Sequence, residues 1–281
     1  ADDKNEVTKW THNTKIPTYG ATGWWDKSSY KEGMVLGDIW GLQFDRFLTE
    51  DDFNADGSLK AGLPDQTKVF PAGYQFAPGD VLYKDLDNNG EIVQQTNTNE
   101  KGDLSVIGNA LPRLQFGLNL DAAWKGFDIS MFFQGVAKRK LWAAGNQVLP
   151  GFTTGEPFYK GAEDYWTPEN TDAFYPRPMD YKQSASGNYS VNDRYLLNMA
   201  YLRLKTFTVG YSLPKVWLSK FKVQGLRVYF TGENLFTIDG VKPAIDPEIG
   251  IRTAGTSSDQ RNFGRSYPYQ KTVSFGIQLS L

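Results

Sequence analysis

The chain has 281 residues and a formal net charge of −2, with 40% hydrophobic and 15% aromatic residues. Its scattered basic residues show no electrostatic footprint for nucleic acid. Cysteine is absent, so disulfide frameworks, zinc ribbons and thiol nucleophiles are excluded. A Ser-His-Asp triad would have to use the single histidine, His12, which lies in a polar stretch where nothing suggests one.

The first predicted strands lie in the N-terminal quarter of the chain. A weak candidate lies near residues 5–10. A clearer strand is GDIWGLQFD at 37–45, where Trp40, Leu42 and Phe44 fall on one side. Residues 48–113 then form a long connection rich in Gly, Asp, Asn and Pro, which predicts turns and no regular element.

Within that connection, DLDNNGEI has the pattern of a calcium-binding loop. Oxygen-bearing side chains at alternate positions, with Gly90 at the bend, can wrap a calcium ion. The twelfth position is Thr96 where a bidentate Glu is usual, and Asp103 is a candidate to replace it. The alternative is a turn in which Asp and Asn side chains bond the local backbone. The predicted ligands are Asp85, Asp87, Asn89 and Glu91.

A long hairpin is predicted next. Large apolar residues alternate with polar ones over 114–124 and again over 127–134. Lys125 and Gly126 separate the two runs and suit a two-residue turn, because Gly tolerates positive φ. Each strand would then have one apolar and one polar face.

The connection 138–199 is long again and carries aromatic residues in and beside the segment YWTPEN. Exposed rings there are suited to stacking on sugar faces or to contacting a partner protein. They are equally suited to forming a small core within the connection itself. The rings concerned are Phe158, Tyr159, Tyr165 and Trp166.

Three further strands complete the chain. In 201–213 the apolar positions begin at Leu202 and Leu204 and then shift phase to Phe207 and Val209, which predicts a β-bulge. A strand follows at 226–238, and the last one alternates regularly from residue 270 to the end.

The lengths of the connections and strands favour a transmembrane β-barrel. Long and short connections alternate, as the extracellular loops and periplasmic turns of such barrels do. The clearest strands run about ten to twelve residues, which is long enough to cross a bilayer when tilted. We therefore expect 48–113, 138–199 and 239–269 to be extracellular, and 125–126 and 214–225 to be periplasmic. Aromatic residues expected at the membrane interfaces are Trp124, Tyr201, Phe236, Tyr267 and Tyr269.

The final segment, SFGIQLSL, resembles the C-terminal targeting signal of bacterial outer-membrane barrels. Such a signal more often ends in an aromatic residue, and this chain has Leu instead. A plain edge strand is the alternative interpretation. The residues that carry the predicted assembly signal are Ser274, Gly276, Leu279 and Leu281.

Several stretches together resemble the SusC/RagA family of TonB-dependent outer-membrane transporters from Bacteroidetes. They occur in the family's order and cover most of residues 34–281. They are GDVLYKDLDNNGEI (79–92), VIGNALPRLQFGLNL (106–120), WKGFDISMFFQG (124–135), YWTPEN (165–170), NDRYLLNMAYLRLKTFTVGYSLP (192–214), LRVYFTGENLFT (226–237) and YPYQKTVSFGIQLSL (267–281).

The resemblance implies an all-β fold, an antiparallel transmembrane β-barrel of roughly 22 strands. Residues 1–281 would be the C-terminal part of that barrel, without its plug domain. The rest of the barrel and the plug would belong to the same polypeptide or to a companion chain.

For function, the resemblance implies a part of an active importer of nutrients, glycans or peptides, in the outer membrane. Its partners would be a SusD-like lipoprotein lid, outer-membrane lipid and, through the plug, the TonB complex. No enzymatic activity is expected, and calcium in an extracellular loop is the one candidate cofactor. The alternative is a secreted soluble β-sandwich that binds or cleaves glycans.

Overall fold

The computed structural model describes residues 35–94, 102–143, 145–152, 158–179, 187–218, 223–242, 245–248 and 267–281. The weak strand candidate near residues 5–10 lies outside these ranges. Where the structure is described, strands dominate, and no helix is both long and apolar enough to cross a membrane. One α-helix, Lys215–Leu218, and the 3-10 helices Glu50–Asp52, Lys160–Glu163 and Gly187–Tyr189 accompany them.

The strands vary in length from two residues to twelve. The longer ones are those predicted from apolar alternation. In chain order, the strands of the described residues are β1 (Asp38–Gly41), β2 (Phe44–Phe47), β3 (Val81–Tyr83), β4 (Ser105–Asn109), β5 (Leu114–Trp124), β6 (Phe127–Ala137), β7 (Lys140–Leu141), β8 (Leu197–Asn198), β9 (Tyr201–Ser212), β10 (Gly225–Glu233), β11 (Thr237–Asp239) and β12 (Thr272–Ser280). The connections 48–113 and 138–199, predicted to be without regular strands, contain the short strands β3, β4, β7 and β8.

The main sheet is antiparallel, with the strand order β12-β10-β9-β6-β5, and β11 pairs with β9 beyond the end of β10. Its five long strands have nine to twelve residues each. β5 and β12 form its two edges within the described part of the chain. The all-β prediction is therefore confirmed, as an open sheet.

The hairpin between β5 and β6 has the predicted two-residue turn. Lys125 and Gly126 have φ of 47° and 90°, and Trp124 pairs with Phe127 directly before and after them. Two consecutive residues with positive φ match the right-handed twist of paired strands. The short connection after β9 lies at the same end of the sheet, because the N–H of Ser212 donates to the Gly126 carbonyl.

The predicted bulge is present in β9. Phe132 pairs with Thr206 and Phe133 with Leu204, so Lys205 is the extra residue. The insertion restores the alternation, because Leu204 and Phe207 then lie on the same face of the sheet. The phase change in the sequence and the bulge in the structure are thus one feature.

Two strand predictions need correction. Residues 37–45 form two short strands, β1 paired with β4 and β2 paired with β3, in separate two-stranded sheets. The predicted strand 226–238 ends at Glu233, because Asn234 adopts a left-handed conformation with φ of 50°. The chain then turns, and β11 pairs with β9.

The long connections hold the buried core, which their turn-rich composition did not predict. One cluster includes Ile39, Leu149 and Met199, and a second includes Leu42 and Trp166. A buried carboxylate, that of Asp80, ties distant parts of these connections together. It accepts hydrogen bonds from the Tyr74 hydroxyl at 2.8 Å, Arg177 Nε at 2.8 Å and Asn188 Nδ2 at 2.9 Å.

Candidate functional site

The main sheet has one apolar face whose side chains lie in register across five strands. We call the ten residues of its two best-defined rows the apolar face. Of these, Phe275 and Ile277 are 83% and 74% exposed to solvent. Neither of the two buried clusters includes any of the ten residues. An exposed apolar surface of this extent marks contact with lipid or another protein. The rows are Trp124, Phe127, Tyr211, Val228, Ile277 and Ala122, Ile129, Val209, Phe230, Phe275.

The opposite face of the sheet is polar. One of its rows contains Asp121, Ser130, Thr208, Thr231 and Ser274, and the Oγ1 atoms of Thr208 and Thr231 are 3.1 Å apart. Near the two-residue turn, an ion pair crosses the same face, with Arg227 Nε donating to Asp128 Oδ1 at 3.0 Å. A sheet that is apolar on one face and polar on the other suits a wall between lipid and water.

The predicted calcium loop brings three carboxylates together. Asp85, Asp87 and Asp103 each have an oxygen atom within 4.8 Å of the others. Asp103 is fully buried and accepts the backbone N–H groups of Leu86 and Val93, both at 2.8 Å. Asp85 Oδ1 is buried without a hydrogen-bond partner among the described residues.

The pKa of Asp85 reflects two opposing effects. Desolvation raises it, but the backbone N–H groups of Gly90 and Asn88 stabilise the carboxylate, and the balance lowers the pKa below its ordinary value. Asp85 is therefore ionised at neutral pH, as a calcium ligand must be.

The other two predicted ligands have different partners. The carboxylate of Glu91 pairs with the Lys68 ammonium. Asn89 Oδ1 accepts the Glu91 N–H at 2.8 Å, and its Nδ2 donates to Asp87 Oδ2 at 3.1 Å. The structure thus groups Asp103 with Asp85 and Asp87, and the local Asx bonds of the alternative interpretation are also present. The calcium site stays a prediction.

The four aromatic residues around YWTPEN have two different environments. Trp166 is 7% exposed and belongs to the second buried cluster, as expected for a core within the connection. Phe158, Tyr159 and Tyr165 are exposed and line a cavity of about 460 Å³. The cavity also contacts Pro150, Pro176, Pro178, Tyr175 and Tyr189, with Lys160 and Glu163 as its charged groups.

Comparison with known proteins gives consistent matches. The chain is 29% identical over 258 residues to TonB-dependent receptor P3 of Formosa agariphila, covering 89% of this chain and 22% of that protein. It is 32% identical over 201 residues to receptor P26 of the same organism, covering 69% and 19%. TonB-dependent receptor SusC of Bacteroides thetaiotaomicron is 24% identical over 242 residues, covering 83% and 22%. No protein-family model matches the chain.

Solved structures give the same fold. The RagAB peptide transporter superposes with a TM-score of 0.56 at 19% identity, over 95% of this chain and 24% of that one. The 'open-open' state of the RagAB peptide importer gives 0.52, over 89% and 23%. The chain belongs to the SusC/RagA family of TonB-dependent receptors. It spans about a fifth of the length of the curated relatives it matches.

In this SusC/RagA-family chain, the predicted assembly signal lies in and directly after β12. Ser274 pairs with Thr231, and Gly276 pairs with Tyr229, both on the polar face. Leu279 and Leu281 are exposed. Gly276 packs closely against Tyr229, since a Cβ atom at this position would lie 2.2 Å from Tyr229 Cζ. Recognition of this segment during assembly stays a prediction.

Four of the five aromatic residues expected at the membrane interfaces are exposed, and their place at an interface stays a prediction. Trp124, Phe236, Tyr267 and Tyr269 are exposed, whereas Tyr201 is buried. Tyr201 begins β9 and lies between β6 and β11, pairing with Val136 on one side and Asp239 on the other. The Arg203 guanidinium lies 5.8 Å from the Tyr201 ring centroid.

Sequence analysis missed a buried ion network at the start of β9. Arg203 Nη2 donates to Asp246 Oδ1 at 2.7 Å and Arg203 Nη1 to Glu248 Oε2 at 2.8 Å. Lys205 Nζ lies 3.1 Å from Glu248 Oε2. The only signal in the sequence is the matching i, i+2 spacing of two cations and two anions.

Proposed function

We propose that the chain forms part of the barrel wall and extracellular loops of a TonB-dependent importer in the bacterial outer membrane. The observation that supports this most directly is the exposed apolar face. Lipid hydrocarbon would cover it without any further protein, while the polar face would line a water-filled or plugged lumen.

The same observation weighs against the alternative, a secreted soluble β-sandwich. A sandwich buries the apolar face of each sheet against a second sheet. Within the described ranges, the buried clusters lie in the connections and leave the apolar face uncovered. The edges β5 and β12 would pair with further strands, because unpaired backbone groups in lipid are strongly unfavourable. Closure into a barrel of roughly 22 strands would satisfy them.

For the activity of the whole protein, we propose nutrient import with a SusD-like lipoprotein as a lid over the extracellular loops and the TonB complex as the energy source. Membership of the SusC/RagA family supports this, as does the fold shared with RagAB, which is described as a peptide importer. The relatives are receptors and transporters, which supports a non-enzymatic role. The long connections at the end of the sheet opposite the Lys125-Gly126 turn would form the docking surface.

Single-cysteine labelling in outer membranes tests the proposal. The full-length receptor would carry Phe275→Cys, Ile277→Cys, Ser274→Cys or Gln278→Cys, and each variant would be treated with a water-soluble and a lipid-soluble maleimide. We expect the first two to react only with the lipid-soluble reagent and the last two with the water-soluble one. Equal reaction of all four with the water-soluble reagent, or recovery of the receptor without detergent, would contradict the membrane assignment.

A further inference from the structure

Two tryptophan side chains are exposed at the end of the main sheet that carries the Lys125-Gly126 turn. Trp124 is the last residue of β5 and is 70% exposed, and Trp217 lies in the α-helix Lys215–Leu218 and is 61% exposed. Folded proteins bury most of the surface of their tryptophans, so two exposed indoles at one end of a sheet indicate a contact surface. In the proposed orientation this end is periplasmic.

The two connections at this end of the sheet are neighbours. The N–H of Ser212, the last residue of β9, donates to the Gly126 carbonyl at 2.8 Å. The helix begins only three residues after Ser212, and three residues of chain span at most about 11 Å. Both connections can therefore face the same lipid layer. We call the exposed residues Trp124, Lys125, Lys215 and Trp217 the periplasmic patch.

The Lys125 ammonium lies on the apolar side of the sheet. Its Nζ atom is 4.7 Å from the centroid of the Trp124 ring, and Trp124 belongs to the apolar face. An ammonium held over an indole ring keeps its charge and still has N–H groups to donate to a further acceptor. The cation is thus placed where the apolar face ends.

The two lysines of the periplasmic patch have no acidic partner among the described residues. The acidic side chains of β5 and β6, Asp121 and Asp128, lie on the polar face, and Asp128 is already paired with Arg227. The sequence has no Asp or Glu over residues 213–232. The two lysines within 219–222 lie outside the described residues and are not part of the patch. The patch therefore has a net positive charge.

We propose that the periplasmic patch binds the headgroups of anionic phospholipids in the periplasmic leaflet of the outer membrane. The inference rests on the proposed function and adds a lipid class and named contacts to it. The ammonium groups of Lys125 and Lys215 would donate to lipid phosphate oxygens. The two indoles would lie at headgroup level, which amphipathic rings favour.

Charge and position together favour a lipid as the occupant. A net positive patch attracts a headgroup with net negative charge more strongly than a zwitterionic one. Trp124 pairs with Phe127 in the same row of the apolar face, so the patch is continuous with the surface that lipid acyl chains would cover. One phospholipid molecule offers both the phosphate and the acyl chains, whereas a free phosphate ion offers only the first.

Lipid binding by the purified full-length receptor in non-ionic detergent tests this. Native mass spectrometry would give the affinity of the first bound phosphatidylglycerol and of phosphatidylcholine with the same acyl chains. We expect phosphatidylglycerol to bind at least about tenfold more tightly, because each lysine near an anionic headgroup contributes severalfold. The Lys125→Gln/Lys215→Gln variant should lose this preference and bind the two lipids alike.

Two further variants separate charge from the aromatic contact. Lys60→Gln/Lys271→Gln removes two exposed lysines away from the patch, one from the connection 48–113 and one from the opposite end of β12, and should keep the preference. Trp124→Leu/Trp217→Leu keeps the charges and should weaken the binding of both lipids to a similar extent. Heat-modifiability on electrophoresis would confirm that every variant is folded.

Four outcomes would overturn the lipid site. They are equal affinity of the unaltered receptor for the two lipids, a preference that survives the Lys125→Gln/Lys215→Gln change, a preference lost equally in the lysine control, and displacement of the bound phosphatidylglycerol by inorganic phosphate. The proposed function is independent of all four, because cysteine labelling in outer membranes reports on it separately.

Discussion

The ring of Tyr229 on β10 lies directly over Gly276 on β12. The two residues are cross-strand partners, and a Cβ atom added to Gly276 would lie 2.2 Å from Tyr229 Cζ. Because that distance is far below van der Waals contact, Gly276→Ala must displace the ring or separate the strands. We expect the folded receptor to lose about 1–3 kcal/mol, as overpacking in a well-packed site does. Heat-modifiability on electrophoresis would measure it.

A rescue experiment separates packing from recognition of the C-terminal segment. If Gly276 matters because of the ring, Tyr229→Ala should restore much of the assembly lost in Gly276→Ala. If assembly factors recognise Gly276 itself, the double variant should stay defective. Gly225→Ala is the matched control, since a Cβ there would meet only Ser280, at an ordinary 3.6 Å.

A charge on the apolar face should destabilise the membrane-inserted receptor. Phe275 lies in the row of Ala122, Ile129, Val209 and Phe230, in the middle of β12. Phe275→Lys should cost about 2–4 kcal/mol if that row is near the bilayer midplane. Ser274→Lys, one residue earlier and on the polar face, should cost much less. Urea unfolding in lipid vesicles measures both, and equal losses would show that lipid does not contact Phe275.

The elements of the main sheet were predictable because their determinants are local. Alternation assigns each residue of β5 and β6 to a face, and two residues between the runs leave room only for a tight turn. The bulge at Lys205 was visible as a phase change for the same reason. The early end of β10 was not, because the alternation continues past Asn234 and only its positive φ breaks the strand.

The cores of the long connections could not be predicted, because they depend on pairs far apart in the chain. Asp80 binds Arg177 across 97 residues and Asn188 across 108. The candidate site divides in the same way. Asp85 and Asp87 follow from local spacing, whereas Asp103 joins them because its carboxylate accepts the backbone N–H groups of Leu86 and Val93.

The Arg203–Asp246 ion pair should hold the segment before β12 in place over a wide pH range. Burial raises the pKa of Asp246, but hydrogen bonds from Arg203 and from the N–H groups of Glu248 and Tyr269 outweigh it and lower the pKa. A lowered folded-state pKa stabilises the folded form above the ordinary value of 3.8. That contribution is lost as pH falls through the lower, folded-state pKa.

Hydrogen exchange at the Tyr269 amide measures this contribution, because its N–H donates to Asp246. Exchange corrected for its intrinsic rate should be constant from pH 8 to about 5 and accelerate in stronger acid. Asp246→Asn should accelerate it at neutral pH, since breaking a buried ion pair costs about 3 kcal/mol. Asp239→Asn, an exposed residue at the end of β11, is the control. Acceleration already at pH 6 would contradict the lowered pKa.

Calcium binding distinguishes the ligand set of the sequence pattern from that of the structure. Asp85, Asp87 and Asp103 converge within 4.8 Å, while Glu91 pairs with Lys68. If calcium binds in this loop, Asp85→Asn should weaken the affinity at least tenfold, because it removes a negative ligand whose Oδ1 has no hydrogen-bond partner among the described residues. Glu91→Gln should leave the affinity unchanged. Titration of the chelator-treated full-length receptor with calcium, followed by calorimetry, measures both variants. Loss of calcium binding in Glu91→Gln would favour the ligand set expected from the sequence pattern. If the unaltered receptor binds no calcium, the loop is a turn held by its Asx hydrogen bonds.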